Sequence, residues 1–149
     1  MGMNKEFVKY EQSLKLKELG FDEECFGYYT GDKMHLVIRP SMSRINIPDS
    51  YVVTAPLYQQ AFRWFMETYG LRGFIGFRPN VKQFDYHVYD MSLSGVEYVK
   101  QRTMEEYNKD PLIGSYGETE FACLNKLIEI VEKRGVDGKY KNGVPINWD

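Results

Sequence analysis

The chain has 149 residues, 43% of them hydrophobic and 27% charged, with a net charge of −2 at neutral pH. This length suits one domain built on one core, and the apolar content excludes a disordered chain. Bulk charge singles out neither nucleic acid nor a membrane surface as partner, and no apolar run approaches the ~20 residues needed to span a bilayer.

Taken in chain order, Asn4–Leu19 reads as a first helix. Phe7, Tyr10, Leu14 and Leu16 supply its apolar stripe, and Gly20 suits the position after its C-cap. Phe21 then folds back as the hydrophobic contact behind the cap. Cys25–Thr30 is an aromatic-rich strand, and Gly31-Asp32 is a two-residue hairpin signal. Met34–Arg39 returns as a second strand, ended by Pro40. Residues 40–50 read as a loop, with Ile45, Ile47 and the run Tyr51–Val53 as short extended pieces.

Thr54 is a good N-cap and Pro56 fits a first helical turn, so the second helix is expected over Ala55–Tyr69. Tyr58, Phe62, Phe65 and Tyr69 fall on one helical face, widened by Leu57, Ala61 and Trp64. Gly73–Phe77 and Phe84–Met91 are strands joined by residues 78–83. In the latter, Phe84, Tyr86 and Val88 alternate with Asp85, His87 and Tyr89, the period of a strand with one buried face. Between 92 and 116, Val96–Val99 is a strand candidate and Thr103–Asn108 a helical turn. Gly117–Arg134 is the third helix, with Phe121, Leu124, Leu127, Ile128, Ile130 and Val131 on its apolar side. The tail carries Asp137-Gly138 and Asn142-Gly143 turn signals and Trp148, and reads as a small hairpin or a loose end.

The order α-β-β-α-β-β-α argues for an α+β fold, with an antiparallel sheet of four or five strands and helices mainly on one face. Residues 1–135 form the expected single domain and 136–149 a C-terminal tail.

The two cysteines, Cys25 and Cys123, lie in apolar stretches, where cysteine behaves as a small buried hydrophobe. Their spacing suggests neither a disulfide framework nor zinc. The N-terminus lacks the apolar core of a signal peptide. A reducing cytoplasm is the expected compartment.

Three segments in this order carry a resemblance: Leu16–Asp22 (LKELGFD), Ala55–Phe65 (APLYQQAFRWF) and Ala122–Val131 (ACLNKLIEIV). Together they resemble a family of short uncharacterised proteins of bacteriophage genomes and prophage regions, over roughly residues 12–134. The resemblance implies a phage or prophage origin and a bacterial cytoplasm. It brings no catalytic residue and no cofactor. The stretches 39–50 and 92–114 are longer here than the family pattern, and the tail is additional.

Histidines occur only at 35 and 87, and no HxH, HxxxH or CxxC spacing turns them into a metal site. Carboxylate pairs at Glu23-Glu24, Glu105-Glu106 and Glu118/Glu120 flank helices or lie in loops, where the helix dipole already explains the last pair. Gly73–Pro79 lacks the lysine and hydroxyl of a phosphate loop. Catalytic residues, metal and cofactor are therefore not expected.

Two contact surfaces remain. An outward row of Tyr28 or Tyr29 with His35, His87 and Tyr89 suits protein recognition. The middle of the chain is mildly basic, and Arg39, Arg44, Arg72, Arg78 and Lys82 are interleaved there with aromatics, as in proteins that bind phosphates and stack bases. The favoured reading is a small accessory protein that binds another protein or self-associates. The alternative is a nucleic-acid-binding accessory protein, and an enzyme of unrecognised type comes third.

Overall fold

The computed structural model describes residues 5–30, 35–43, 52–80, 82–91, 97–101 and 115–134. The α+β class holds. Among the described residues three helices, α1 (Tyr10–Glu18), α2 (Tyr58–Tyr69) and α3 (Tyr116–Arg134), accompany six strands. The strands are β1 (Cys25–Thr30), β2 (Leu36–Ser43), β3 (Val52–Ala55), β4 (Leu71–Arg78), β5 (Gln83–Asp90) and β6 (Glu97–Gln101). They form not one sheet but two, each antiparallel and three-stranded, in the orders β2-β1-β3 and β4-β5-β6. The chain divides into two units, residues 1–61 and 62–149, with the boundary inside α2. The Gly31-Asp32 turn, the Thr103–Asn108 turn and the tail lie outside the described residues.

In the first unit β1 is central. Tyr29 pairs with Leu36 on one side and Val53 on the other, and Gly27 with Ile38 and Ala55. Phe7, Tyr29, Val53 and Ala55 form the buried cluster, with Tyr10, Leu14, Leu36 and Leu57 packed against it. A Cβ on Gly27 would stand 2.8 Å from the Phe7 ring, so the glycine is what lets that ring approach the strand.

Two expected boundaries shift here for the same reason. Helix α1 starts at Tyr10 rather than Asn4, because Phe7 bridges to Leu57 and the Val8 N–H donates to the Pro56 carbonyl at 2.9 Å. Helix α2 starts at Tyr58 rather than Ala55, because Val52–Ala55 is spent on pairing with β1; Thr54 is a strand residue, not an N-cap. Pro40 does not end β2, which runs to Ser43. It lies on an edge strand, within the register break between Ile38 and Ser43, where a missing N–H is tolerated. The end of α1 follows the sequence closely. Gly20 is left-handed at φ 101°, its N–H donates to the Lys17 carbonyl, and the Phe21 N–H reaches back to the Leu16 carbonyl at 2.9 Å. That is a Schellman cap.

In the second unit β5 is central and α3 packs on β4 and β5. Cys123, Leu124, Leu127, Ile128 and Val131 are buried along α3, as are Tyr86 and Val88 on β5. Gly73 allows the close approach: a Cβ there would meet Cys123 Sγ at 2.8 Å and Leu127 Cδ1 at 3.0 Å. Ser115 caps α3, its hydroxyl accepting from the Glu118 N–H at 3.2 Å and donating to the Glu118 carboxylate at 2.9 Å. Along α2 the expected stripe of Tyr58, Phe62, Phe65 and Tyr69 is buried, together with Ala61 and Trp64. No helix among the described residues is long and apolar enough to cross a membrane.

Candidate functional site

Strand periodicity assigns the two faces of the β4–β5 hairpin. Leu71, Gly73 and Ile75 share one face with Tyr86, Val88 and Asp90, and Gly73 is the point where α3 comes against it. Arg72, Phe74, Gly76 and Arg78 share the other with Gln83, Asp85, His87 and Tyr89. This second face gathers two members of each predicted set: His87 and Tyr89 from the protein-contact row, Arg72 and Arg78 from the basic set.

A buried carboxylate organises the face. Asp85 is 2% exposed although it lies in the polar row. Its Oδ2 accepts from Arg78 Nε at 2.7 Å, and its Oδ1 lies 3.2 Å from His87 Nε2. Gly76, directly across from Asp85, makes the space: a Cβ there would fall 2.8 Å from Oδ1 and 3.3 Å from Nε2. Burial of a carboxylate requires such partners. With Nε2 against the Asp85 carboxylate, the imidazole ring is held in one orientation.

That orientation sets an aromatic layer. Phe74 stacks on His87 with ring centroids 5.1 Å apart and planes 16° apart, and on Tyr89 at 5.8 Å and 4°. The Arg72 guanidinium lies 5.7 Å from the Phe74 centroid, a cation–π distance. Arg72, Phe74, Tyr89 and Met91 line an open depression of about 310 Å³. Among the described residues no carboxylate pairs with Arg72, which is exposed. The depression is therefore largely apolar, with one cation beside it and the Phe74 ring stacked between Tyr89 and His87, the latter held by Asp85.

The other predicted residues lie elsewhere. Tyr28 and Tyr29 belong to the other sheet and His35 adjoins its strand β2, so the expected row is split between the two units. Tyr29 is a core residue, 7% exposed; its hydroxyl donates to the Val8 carbonyl at 2.7 Å and its ring meets Tyr10 edge-on. Burial pushes its phenol pKa up. Tyr28 is on the opposite strand face, half-buried beside Val37 and Thr54. His35 is exposed and precedes β2. Arg39 is in the first unit, Lys82 is exposed at the β4–β5 turn with φ 53°, and Arg44 lies outside the described residues. The burial of Asp85 between Arg78 and His87 and the place of Met91 have no counterpart among the sequence-based expectations. The part of the network visible in the sequence is the i, i+2 spacing of Asp85 and His87 on one strand face.

Cys25 and Cys123 are not reactive groups. Burial pushes the Cys25 thiol up to about 12, and burial followed by the nearby Glu120 charge pushes Cys123 up as well. A neutral buried thiol is a poor nucleophile. The face of Asp85 and His87 carries no serine, threonine or cysteine, so its histidine has no nucleophile to activate on its own strands. Among the described residues no group of three His, Cys, Asp or Glu side chains could hold a metal ion. Comparison with known proteins identifies no matching family model, no matching curated protein and no matching solved structure.

Proposed function

We propose that this chain is a small binding protein, an accessory factor of phage or prophage type acting in a bacterial cytoplasm, that contacts another protein through the open face of β4 and β5. The observation that carries the reading is the depression lined by Arg72, Phe74, Tyr89 and Met91. Arginine, tyrosine and methionine are the residue types that protein interfaces concentrate, and a preorganised aromatic layer loses little entropy on binding. The chemistry of the depression selects the partner: an apolar side chain for the floor, beside a carboxylate for Arg72. The phage and cytoplasmic parts of the proposal rest on the three resembling segments alone.

Nucleic-acid binding is supported less. Arg78 already carries Asp85, and Arg39 is on the other sheet. Arg72 and Lys82 stand at opposite ends of the hairpin, roughly 20 Å apart at 3.3 Å per strand residue. The Phe74 ring is engaged by His87, Tyr89 and Arg72, which leaves it poorly placed to stack a base.

Selection of a random displayed peptide library on the full chain tests the proposal. The expected winners carry Asp or Glu next to an aromatic or aliphatic residue, and Arg72→Ala and Tyr89→Ala each abolish their enrichment. Enrichment that both variants retain, or a protein that instead binds single-stranded DNA with steep salt dependence, would overturn it.

A further inference from the structure

The outer edge of β4 is a second surface, distinct from the face just described. Strand β4 stands at the end of the order β4-β5-β6, and among the described residues none pairs with its other side. The direction of its free groups follows from the ladder. The Met91 N–H donates to the Gly70 carbonyl at 2.7 Å, next to the Leu71–Asp90 pair. Antiparallel bonding alternates, so the N–H and C=O groups of Arg72, Phe74, Gly76 and Arg78 point toward β5. Those of Leu71, Gly73, Ile75 and Phe77 point outward. Leu71 and Gly73 are buried, whereas Ile75 is half-buried and Phe77 is 52% exposed. The accessible edge is the Ile75–Phe77 half.

Other edges carry features that discourage pairing. Strand β2 contains Pro40 and a register break, β3 has four residues, and β6 carries a register shift against β5 between Val88 and Tyr89. Strand β4 has eight residues in unbroken register, with no proline and no lysine. Such an edge is a template for another strand. It is also flanked by apolar surface: Phe77 packs on Phe84, which meets Tyr116 edge-on, and Tyr116 is 45% exposed.

We infer that a second copy of this chain occupies this edge, pairing β4 with β4 antiparallel about a twofold axis through Gly76. In a sheet continued by a twofold, opposite residues share a face, so the axis passes through a residue position. An axis through Ile75 would set Arg72 against the partner's Arg78, like charges directly opposed. An axis through Phe74 would need the buried Leu71 and Gly73. The axis through Gly76 sets Ile75 against the partner's Phe77, and Phe77 against the partner's Ile75. Four main-chain hydrogen bonds form from the outward groups, and apolar side chains cover each other. The two Gly76 residues meet without side chains. The stem of the partner's Arg78 lies beside Phe74 while its guanidinium stays on its own Asp85. A net charge of −2 per chain opposes the pairing weakly.

Sedimentation equilibrium of the full chain over a wide concentration range, with Phe77→Lys and Ile75→Pro, tests the inference. Both positions direct their backbone outward, so neither substitution removes a β4–β5 bond. A reversible dimer is expected for the wild type, weakened roughly tenfold or more by each variant, with circular dichroism unchanged. Amide exchange at Ile75 and Phe77 should slow as concentration rises, while Phe74 and Gly76 exchange slowly throughout. Should Ile75→Pro fail to fold, Phe77→Lys and the exchange data still decide. A monomer at every concentration overturns the inference, as does a dimer that Phe77→Lys leaves intact. Phe77 lies on the strand face opposite Arg72, Phe74 and Tyr89, and the monomer carries the whole depression, so a monomeric protein that still binds peptide sinks this inference and not the binding proposal.

Discussion

Replacing Asp85 by Asn tests whether the buried carboxylate organises the candidate face. The change keeps shape and removes charge from a side chain that is 3% exposed and contacts Arg78 at 2.7 Å and His87 at 3.2 Å. The amide can still accept from one partner but presents an N–H to the other. A hydrogen bond to a charged group contributes about 1.5–3 kcal/mol. Arg78 and His87 keep 29% and 21% of their side-chain surface, so water recovers part of the loss. The net expectation is a destabilisation of about 2–3 kcal/mol, at or below the lower end of the ~3–5 kcal/mol typical of a fully buried pair. Urea titration followed by circular dichroism should show the midpoint falling with an unchanged slope, and heating should lower Tm by roughly 5–10 °C. Gly76→Ala supplies a second test, because its Cβ would be 2.8 Å from Asp85 Oδ1. Its cost should shrink by at least about 0.5 kcal/mol in an Asp85→Ala background, where that oxygen is gone. A change below about 0.5 kcal/mol for Asp85→Asn, or strict additivity in the pair, would refute the reasoning.

Gly73→Ala should destabilise by about 1–3 kcal/mol through overpacking against Cys123 and Leu127, with part of the loss relieved by Cys123→Ala, measured by the same urea titration. Tyr29→Phe should cost about 1–2 kcal/mol, because it leaves the buried Val8 carbonyl without the 2.7 Å hydroxyl. The Cys25 thiol gives an alkaline signature. Its ordinary value of 9.0 is pushed up to about 12, so its stabilising effect is complete below pH 9 and is lost as pH rises toward 12. The unfolded chain releases this proton first, and the native chain retains it. Between pH 8 and about pH 10 the wild type should therefore lose roughly 1–1.5 kcal/mol more stability than Cys25→Ala does.

Much of the fold was legible because periodicity and capping chemistry are local. The α2 stripe, the α3 stripe and the Gly20 cap each follow from spacing within a few residues. The boundaries that moved depend on partners far along the chain. Val52–Ala55 is strand because β1 lies beside it, and Phe7 is extended because Leu57 takes it. The division of six strands into two sheets has no local signature either; nothing in Cys25–Thr30 or Gln83–Asp90 says which neighbour it will find. The candidate site was half legible. Alternation correctly put His87 and Tyr89 on the same face, opposite the buried Val88. Burial of Asp85 was hidden, since an acidic residue in a polar row normally faces water. It is buried here because Gly76 sits across from it, with Arg78 two residues along the strand supplying the countercharge. Tyr29 misled for the converse reason: a tyrosine next to Tyr28 can be core or surface, and the pleat sends the two to opposite faces.

The most direct measurement is a ¹⁵N chemical-shift map of the full chain titrated with a blocked pentapeptide alternating glutamate with leucine and phenylalanine. The prediction is saturable shifts centred on Arg72, Phe74, His87, Tyr89 and Met91, absent when glutamine replaces glutamate and absent in Arg72→Ala. Saturable shifts centred on Tyr28, His35 and Arg39, or none on the β4–β5 face at millimolar peptide, would contradict the proposal.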